Sequence, residues 1–138
     1  AGCTLRLIPF FGGRSLWLDE AMVALNIVYL PPALLRGELM LDQMAPVGWL
    51  LLQKALLSVW SDFDYSLRLT SLVFGVGALL AFWRFARAAL GPVEAIIAVG
   101  LFAICPALIE YSVMAKPYAV DVFFSVVLVL LAHRVMAG

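Results

Sequence analysis

The run from Leu69 to Trp83 carries no charge and has arginines on both sides, and it restricts the fold of this chain more than any other segment. A helix over residues 67–88 is long enough to cross a hydrocarbon core about 30 Å thick. The flanking arginines can extend their charged ends toward lipid headgroups. This segment therefore predicts a transmembrane helix.

Two further apolar runs follow a Gly-Pro break at residues 91 and 92. They predict helices over residues 93–110 and 118–134, the second interrupted only by Asp121. Residues 1–11 are interpreted as the end of a first transmembrane helix, in the N-terminal part of a longer protein. Composition agrees, because 65% of the 138 residues are hydrophobic and 13% are charged, against about a quarter charged in soluble domains. The predicted fold class is all-α, a polytopic transmembrane helical bundle.

The positions of basic residues predict an orientation. By this count three arginines fall on one side of the membrane, namely Arg84, Arg87 and Arg134. Basic residues beside short connections favour the cytoplasm, so residues 12–66 are expected to form an outer loop. Within it, residues 46–60 are too short to span, at about 21 Å, and predict an interfacial juxtamembrane helix. A second short helix is expected to end at the prolines at 31 and 32.

Several kinds of site are not indicated by this sequence. The formal net charge is zero, and no basic patch or glycine-rich phosphate loop is visible, so nucleic acid is not an expected partner. Cys3 and Cys105 lie in apolar runs and share no ligand spacing with His133, so neither a disulfide nor a metal cluster is predicted. The sequence identifies no cofactor, and a divalent metal stays an open alternative.

Two adjacent carboxylates, Asp19 and Glu20, are the leading candidates for chemistry. Ionisable groups near membrane depth are costly, and those kept there commonly have a function. With Trp17 as an interfacial anchor, both should lie at the outer headgroups, where a carboxylate can act as a general base toward a hydroxyl. The alternative is that the pair caps a helix beginning near Ala21, since acids favour a helix N-terminus.

Three other residues are candidates for substrate binding. Lys116 and the following Tyr118 stand between the last two predicted helices, where an ammonium group could hold a phosphate. The alternative is a snorkelling lysine paired with Glu110 or Asp121. Asp121 is expected to face other helices or a wet cavity, or to pair with Lys116. Arg68 is either an interfacial anchor or a functional group.

Several stretches, in this order, resemble a known family. RSLWLDEAMVALN resembles a first outer loop with an Asp-Glu pair. APVGWLLLQKALLSVWSDFDYSLRLTSLVFG resembles a proline-led juxtamembrane helix, a short acidic turn and an Arg-Leu-x-Ser start of the second span. FWRFARAALGPVEAIIAVGLFAICPALIEYSVMAKPYAVDVFF resembles a cytoplasmic turn, a third span and an Arg-Pro-Tyr type of motif. The ordered set is similar to membrane glycosyltransferases of the GT-C fold, in the group of dolichyl-phosphate-mannose protein mannosyltransferases and aminoarabinose transferases.

The resemblance implies a polyprenyl-phosphate sugar donor, an acceptor at the outer face of the membrane, and inversion at the sugar carbon. It implies that Asp19 is the catalytic base and that Glu20 supports its loop. Lys116, Tyr118 and Arg68 would bind the substrate. The expected surroundings are the lipids of a prokaryotic inner membrane, with the active site facing the exterior. The sugar and the acceptor are not identified, and this piece alone is expected to be inactive.

Two departures from the family pattern limit what the resemblance implies. Met44 and Ala45 stand where the aminoarabinose transferases have an acidic residue and a lysine, so a metal or phosphate contact is not carried over there. Lys116 stands where many bacterial relatives have arginine, which keeps the charge and loses the bidentate fork.

Two other functions stay open. The first is a transporter or flippase-like protein, in which Asp121, Glu110 and Lys116 would line a polar path. Discontinuous helices and inverted repeats would be expected of that class, and the sequence indicates neither. The second is a non-catalytic membrane scaffold, which would tolerate neutralisation of Asp19.

Overall fold

The computed structural model describes residues 2–13, 15–60 and 63–138. Within them the chain is all-helical, with seven α-helices, two short 3-10 turns and no strand. The helices are α1 (Gly2–Phe11), α2 (Leu18–Tyr29), α3 (Val47–Val59), α4 (Phe63–Ala89), α5 (Pro92–Ile104), α6 (Pro106–Tyr111) and α7 (Tyr118–Ala137). The 3-10 turns are Leu34–Arg36 and Met40–Asp42. The predicted all-α class is confirmed for these residues. The acidic turn expected before α4 falls largely at residues 61 and 62, outside them.

Among the described residues, two helices are long and apolar enough to cross a membrane, by length and composition. They are Asp64–Ala89 of α4 and the whole of α7, and they contain the predicted segments 67–88 and 118–134. α4 and α7 run in the same direction and pack closely. The Phe74 and Phe123 rings meet edge to face at 5.3 Å, and Phe85 meets His133 at 5.9 Å further along both helices.

The helix predicted over residues 93–110 is two helices. Cys105 leaves the helical conformation, with ψ of 117°, and Pro106 begins α6. A proline inside a helix removes a backbone hydrogen bond and clashes with the preceding turn, which accounts for the break. Arg6 of α1 is buried and donates to the Ala103 carbonyl at 3.2 Å, so it satisfies one acceptor beside the break. α5 alone is about 20 Å long, shorter than a bilayer core.

Both short helices predicted before α4 are present, as α2 and α3. They pack on the start of α4 and on the segment before α7, around one apolar cluster. Its buried members are Val23, Ala24, Ile27, Leu35, Trp49, Leu50, Leu67 and Ala115. These helices therefore form an apolar core around the N-terminal end of α4.

Polar side chains of α3 fix this arrangement. Gln53 is buried and donates from Nε2 to the Leu67 carbonyl at 2.9 Å, and Thr70 donates to its Oε1 at 3.3 Å. Lys54 Nζ donates to the carbonyls of Ile27 at 2.7 Å and Leu30 at 2.6 Å, at the end of α2. The last carbonyls of a helix lack intrahelical partners and carry partial negative charge, so the ammonium caps α2.

Candidate functional site

Asp19 and Lys116, from opposite ends of the sequence, form an ion pair. Lys116 Nζ lies 2.8 Å from Asp19 Oδ2, and the two side chains are 7% and 62% exposed. Lys116 Nζ also donates to Gln43 Oε1 at 3.1 Å. Lys116 is therefore a buried cation with two oxygen partners, and it is not a snorkelling lysine paired with Glu110 or Asp121.

Among the described residues, Asp121 does not form the ion pair with Lys116 that the sequence left open. It is exposed on the first turn of α7, whereas Lys116 is engaged by Asp19. Tyr118 begins α7 and packs its ring on Tyr111, with centroids 5.1 Å apart. In the described part of the chain, Lys116 thus contacts Asp19, whereas the Tyr118 ring contacts Tyr111.

Glu20 is the residue that brings α2 to the Lys116 segment. It is 2% exposed, and its Oε1 accepts a hydrogen bond from the backbone N–H of Ala115 at 2.6 Å. Its Oε2 accepts from the N–H of Trp17 at 2.8 Å, which is the glutamate arm of a capping box. The two adjacent acids therefore differ: Glu20 caps the helix and docks it, while Asp19 reaches Lys116.

The backbone around Lys116 is held from α4. The Ser71 hydroxyl lies 2.5 Å from the Met114 carbonyl oxygen and 3.2 Å from that of Lys116. Gly75, one turn further, lets the segment approach, because a Cβ on it would lie 2.1 Å from Ser112 Oγ. Serine and glycine on α4 thus fix where the ammonium group stands.

Arg68 is the second buried cation of this region. It is 3% exposed, and its Nε is fully buried with no hydrogen-bond partner among the described residues. It lines a cavity of about 160 Å³ together with Glu20, Val113 and Met114. A buried guanidinium nitrogen without a hydrogen-bond partner is costly, and an anion or a water in this cavity would offset that cost. Arg68 is therefore a buried cation that lines a cavity.

Gln43, the second partner of Lys116, was not predicted from the sequence. The contacts of Asn26 fix the loop that carries Gln43. Asn26 is fully buried in α2 and accepts from the Met40 N–H at 2.6 Å. Its Nδ2 donates to the carbonyls of Met40 at 3.1 Å and Met22 at 2.9 Å. An asparagine within an apolar helix is a sequence signal that could have indicated this clamp, because buried polar groups are hydrogen-bonded.

The backbone between the Asn26 clamp and Gln43 is strained. Leu41 and Asp42 both have positive φ, at 62° and 52°. Non-glycine residues in this region cost about 1–3 kcal/mol each, and they persist where surrounding contacts impose them. Gln43 then stands between Lys116 and a groove of about 820 Å³ formed within residues 35–47.

The described residues do not fit a metal site. No group of three or more His, Cys, Asp or Glu side chains in this part of the chain could hold a metal ion. Both oxygens of Glu20 already accept backbone N–H groups, and Asp19 accepts from Lys116.

Comparison of the chain with protein-family models, with curated proteins and with solved structures finds no match. What the site can do therefore follows from its own side chains. An exposed carboxylate can take a proton from a hydroxyl, and fixed buried cations can stabilise negative charge on a leaving group. The described site thus offers one exposed carboxylate, Asp19, and two buried cations, Lys116 and Arg68.

Proposed function

We propose that this chain is part of an integral membrane glycosyltransferase, which moves a sugar from a polyprenyl-phosphate donor to an acceptor hydroxyl at the outer membrane face. The observation that carries the proposal is the Asp19–Lys116 ion pair, in a region that also holds Glu20 and Arg68. The motif resemblance implies Asp19 as the base, Glu20 as its support, and Lys116 and Arg68 in substrate binding. These residues come from three separate stretches of sequence.

In this mechanism Asp19 accepts the proton of the acceptor hydroxyl. The hydroxyl oxygen forms a bond to the anomeric carbon while the bond from that carbon to the phosphate oxygen breaks, with inversion. The electron pair stays on the departing polyprenyl phosphate, whose charge is offset by Lys116 and Arg68. Glu20 positions Asp19 through the hydrogen bond from Ala115. Tyr118 packs on Tyr111, and only the resemblance assigns it to substrate binding.

The membrane location is supported by the outer surfaces of the helices. α4 and α7 have the length and composition of spanning helices. α5 and α7 expose large apolar side chains, among them Ile96, Leu101, Leu128 and Val135. Contiguous apolar surface of this kind suits contact with lipid or with further helices. We place the protein in a prokaryotic inner membrane, with Asp19 on the outside as the arginine positions predict.

The test is sugar transfer from a polyprenyl-phosphate donor by the full-length protein that contains this chain, in its parent form and as Asp19→Asn. Loss of a general base is expected to lower the rate by about 10²–10⁴-fold. Asp42→Asn is the matched control, because it removes the same charge from the neighbouring loop and should leave the rate unchanged. If a folded Asp19→Asn protein transferred sugar at the rate of the parent, Asp19 would not be the base.

A second candidate function, a transporter, is favoured by one observation. The break between α5 and α6 makes a discontinuous helix, which is common at transporter binding sites. One carbonyl beside that break is already taken by Arg6. Flux of sugar or lipid phosphate into proteoliposomes without any transferred product would favour the transporter. Transfer that depends on Asp19 would favour the enzyme.

A further inference from the structure

We propose that a phosphate group and the Asp19 carboxylate compete for Lys116, so that the bound donor displaces Asp19 and thereby frees the base. The Asp19–Lys116 ion pair is then an autoinhibitory contact of the resting protein. The inference rests on the proposed function and adds an order of events to it: the phosphate arrives first, and only then can Asp19 receive a proton from an acceptor.

The two partners of the ion pair differ in burial. The Lys116 side chain is 7% exposed and that of Asp19 is 62% exposed. Moving Asp19 into water therefore requires little further change in its hydration. Lys116, by contrast, would become a buried cation short of a partner, which is strongly unfavourable. The pair can open when another anion takes the place of the carboxylate.

The two partners also differ in how firmly they are held. The Lys116 backbone is fixed by Ser71, and the preceding Ala115 N–H is bound by Glu20. The same Glu20 fixes the first turn of α2, so Asp19 can leave Lys116 by side-chain rotation without movement of the helix. Gln43 continues to hold the ammonium through its Oε1. Lys116 thus stays in place while its carboxylate partner is exchanged.

The exchange has a chemical consequence for the base. In the resting pair Asp19 Oδ2 accepts a short, charge-assisted hydrogen bond from Lys116 at 2.8 Å. This bond competes with the hydrogen bond that the hydroxyl of the sugar acceptor would donate to the same oxygen. A phosphate oxygen on Lys116 leaves that carboxylate oxygen open to the hydroxyl. Because binding couplings are reciprocal, the Asp19 charge must weaken phosphate binding as much as phosphate weakens the ion pair.

The experiment measures equilibrium binding of farnesyl phosphate to the protein in lipid nanodiscs, with farnesol and inorganic phosphate as separate arms. The variants are Asp19→Asn, Lys116→Ala and the matched control Asp42→Asn. We expect Asp19→Asn to bind farnesyl phosphate about tenfold more tightly than the parent. Asp42→Asn should bind like the parent, and Lys116→Ala should lose the preference for farnesyl phosphate over farnesol.

Carboxyl footprinting of the parent protein needs no variant and covers the case in which Asp19→Asn fails to fold. Labelling of Asp19 should rise when farnesyl phosphate is added, and labelling of Asp42 should not. Equal effects of inorganic phosphate and farnesyl phosphate would identify a free anion as the competitor, and would overturn the lipid-donor form of the proposal.

The outcomes separate the two proposals. If Lys116→Ala loses binding while Asp19→Asn binds no more tightly than the parent and Asp19 labelling stays constant, the competition is wrong and the phosphate site stands. If no form of the protein prefers farnesyl phosphate to farnesol, the phosphate site itself is wrong, and the proposed function loses its donor contact.

Discussion

Glu20 makes a sharp prediction about stability, because one buried carboxylate holds two segments together. Glu20→Ala removes the acceptor of the Trp17 N–H and that of the Ala115 N–H, at 2.8 and 2.6 Å. Glu20→Gln keeps one acceptor oxygen but turns an amide donor toward the other N–H. The alanine variant should therefore be the less stable of the two, and the glutamine variant should lie between it and the parent.

The magnitude follows from the two hydrogen bonds. A hydrogen bond to a charged group contributes about 1.5–3 kcal/mol, so Glu20→Ala should lower the free energy of unfolding by about 3–6 kcal/mol. Side-chain rotamer freedom that is regained in the variant reduces this figure somewhat. Glu20→Gln loses one of the two bonds and should cost about 1.5–3 kcal/mol. The matched control is Glu38→Gln, an exposed glutamate of the following loop, which should stay within about 0.5 kcal/mol of the parent.

The assay is reversible unfolding in mixed micelles, with circular dichroism followed as dodecyl sulfate is added. Hydrogen exchange provides a second measurement, because the Ala115 amide should exchange faster in Glu20→Gln than in the parent. The reasoning is refuted if Glu20→Gln unfolds at the same dodecyl sulfate concentration as the parent and its Ala115 amide exchanges as slowly as in the parent. Such a result would mean that the apolar face of α2 and the Asp19–Lys116 ion pair hold α2 to the Lys116 segment without help from Glu20.

Two further predictions concern the packing around the site. Gly75→Ala should destabilise the protein by more than 1 kcal/mol in the same unfolding assay, because the added methyl group overlaps Ser112. Gly100→Ala has open space around it and should be neutral or stabilising by up to about 1 kcal/mol, and equal effects at the two glycines would contradict the close approach. Lys54→Met removes the cap of α2 and should lower the free energy of unfolding by about 1–2 kcal/mol. Lys54→Arg should recover part of this loss. If Lys54→Met were as stable as the parent, the cap would contribute nothing.

The long and short helices could be predicted from sequence because their signals are local. The uncharged run of residues 69–83 predicted α4. The proline at 31 predicted the end of α2, and the proline at 46 predicted the start of α3. The break at Pro106 also had a local signal, but the uncharged run on both sides of the proline predicts one continuous helix. Proline chemistry, rather than hydrophobicity, decided that boundary.

The site was predicted only in part, because its geometry depends on contacts between distant segments. Asp19 and Lys116 were singled out, but nothing local says that α2 docks on the segment before α7. The surroundings of Asp121 could not be predicted because α7 is apolar on all sides, so its sequence does not say which face is covered. Gln43 carried no signal of its own, since its position depends on the Asn26 clamp.

The capping of α2 at both ends makes that helix a spacer of defined length. Its 12 residues run from the Glu20 contacts at one end to the Lys54 ammonium at the other. One inserted residue would rotate everything beyond it by about 100° and lengthen the helix by about 1.5 Å, so both ends could no longer be satisfied. Substitutions on the exposed face of α2 should thus be tolerated far better than any change in its number of residues.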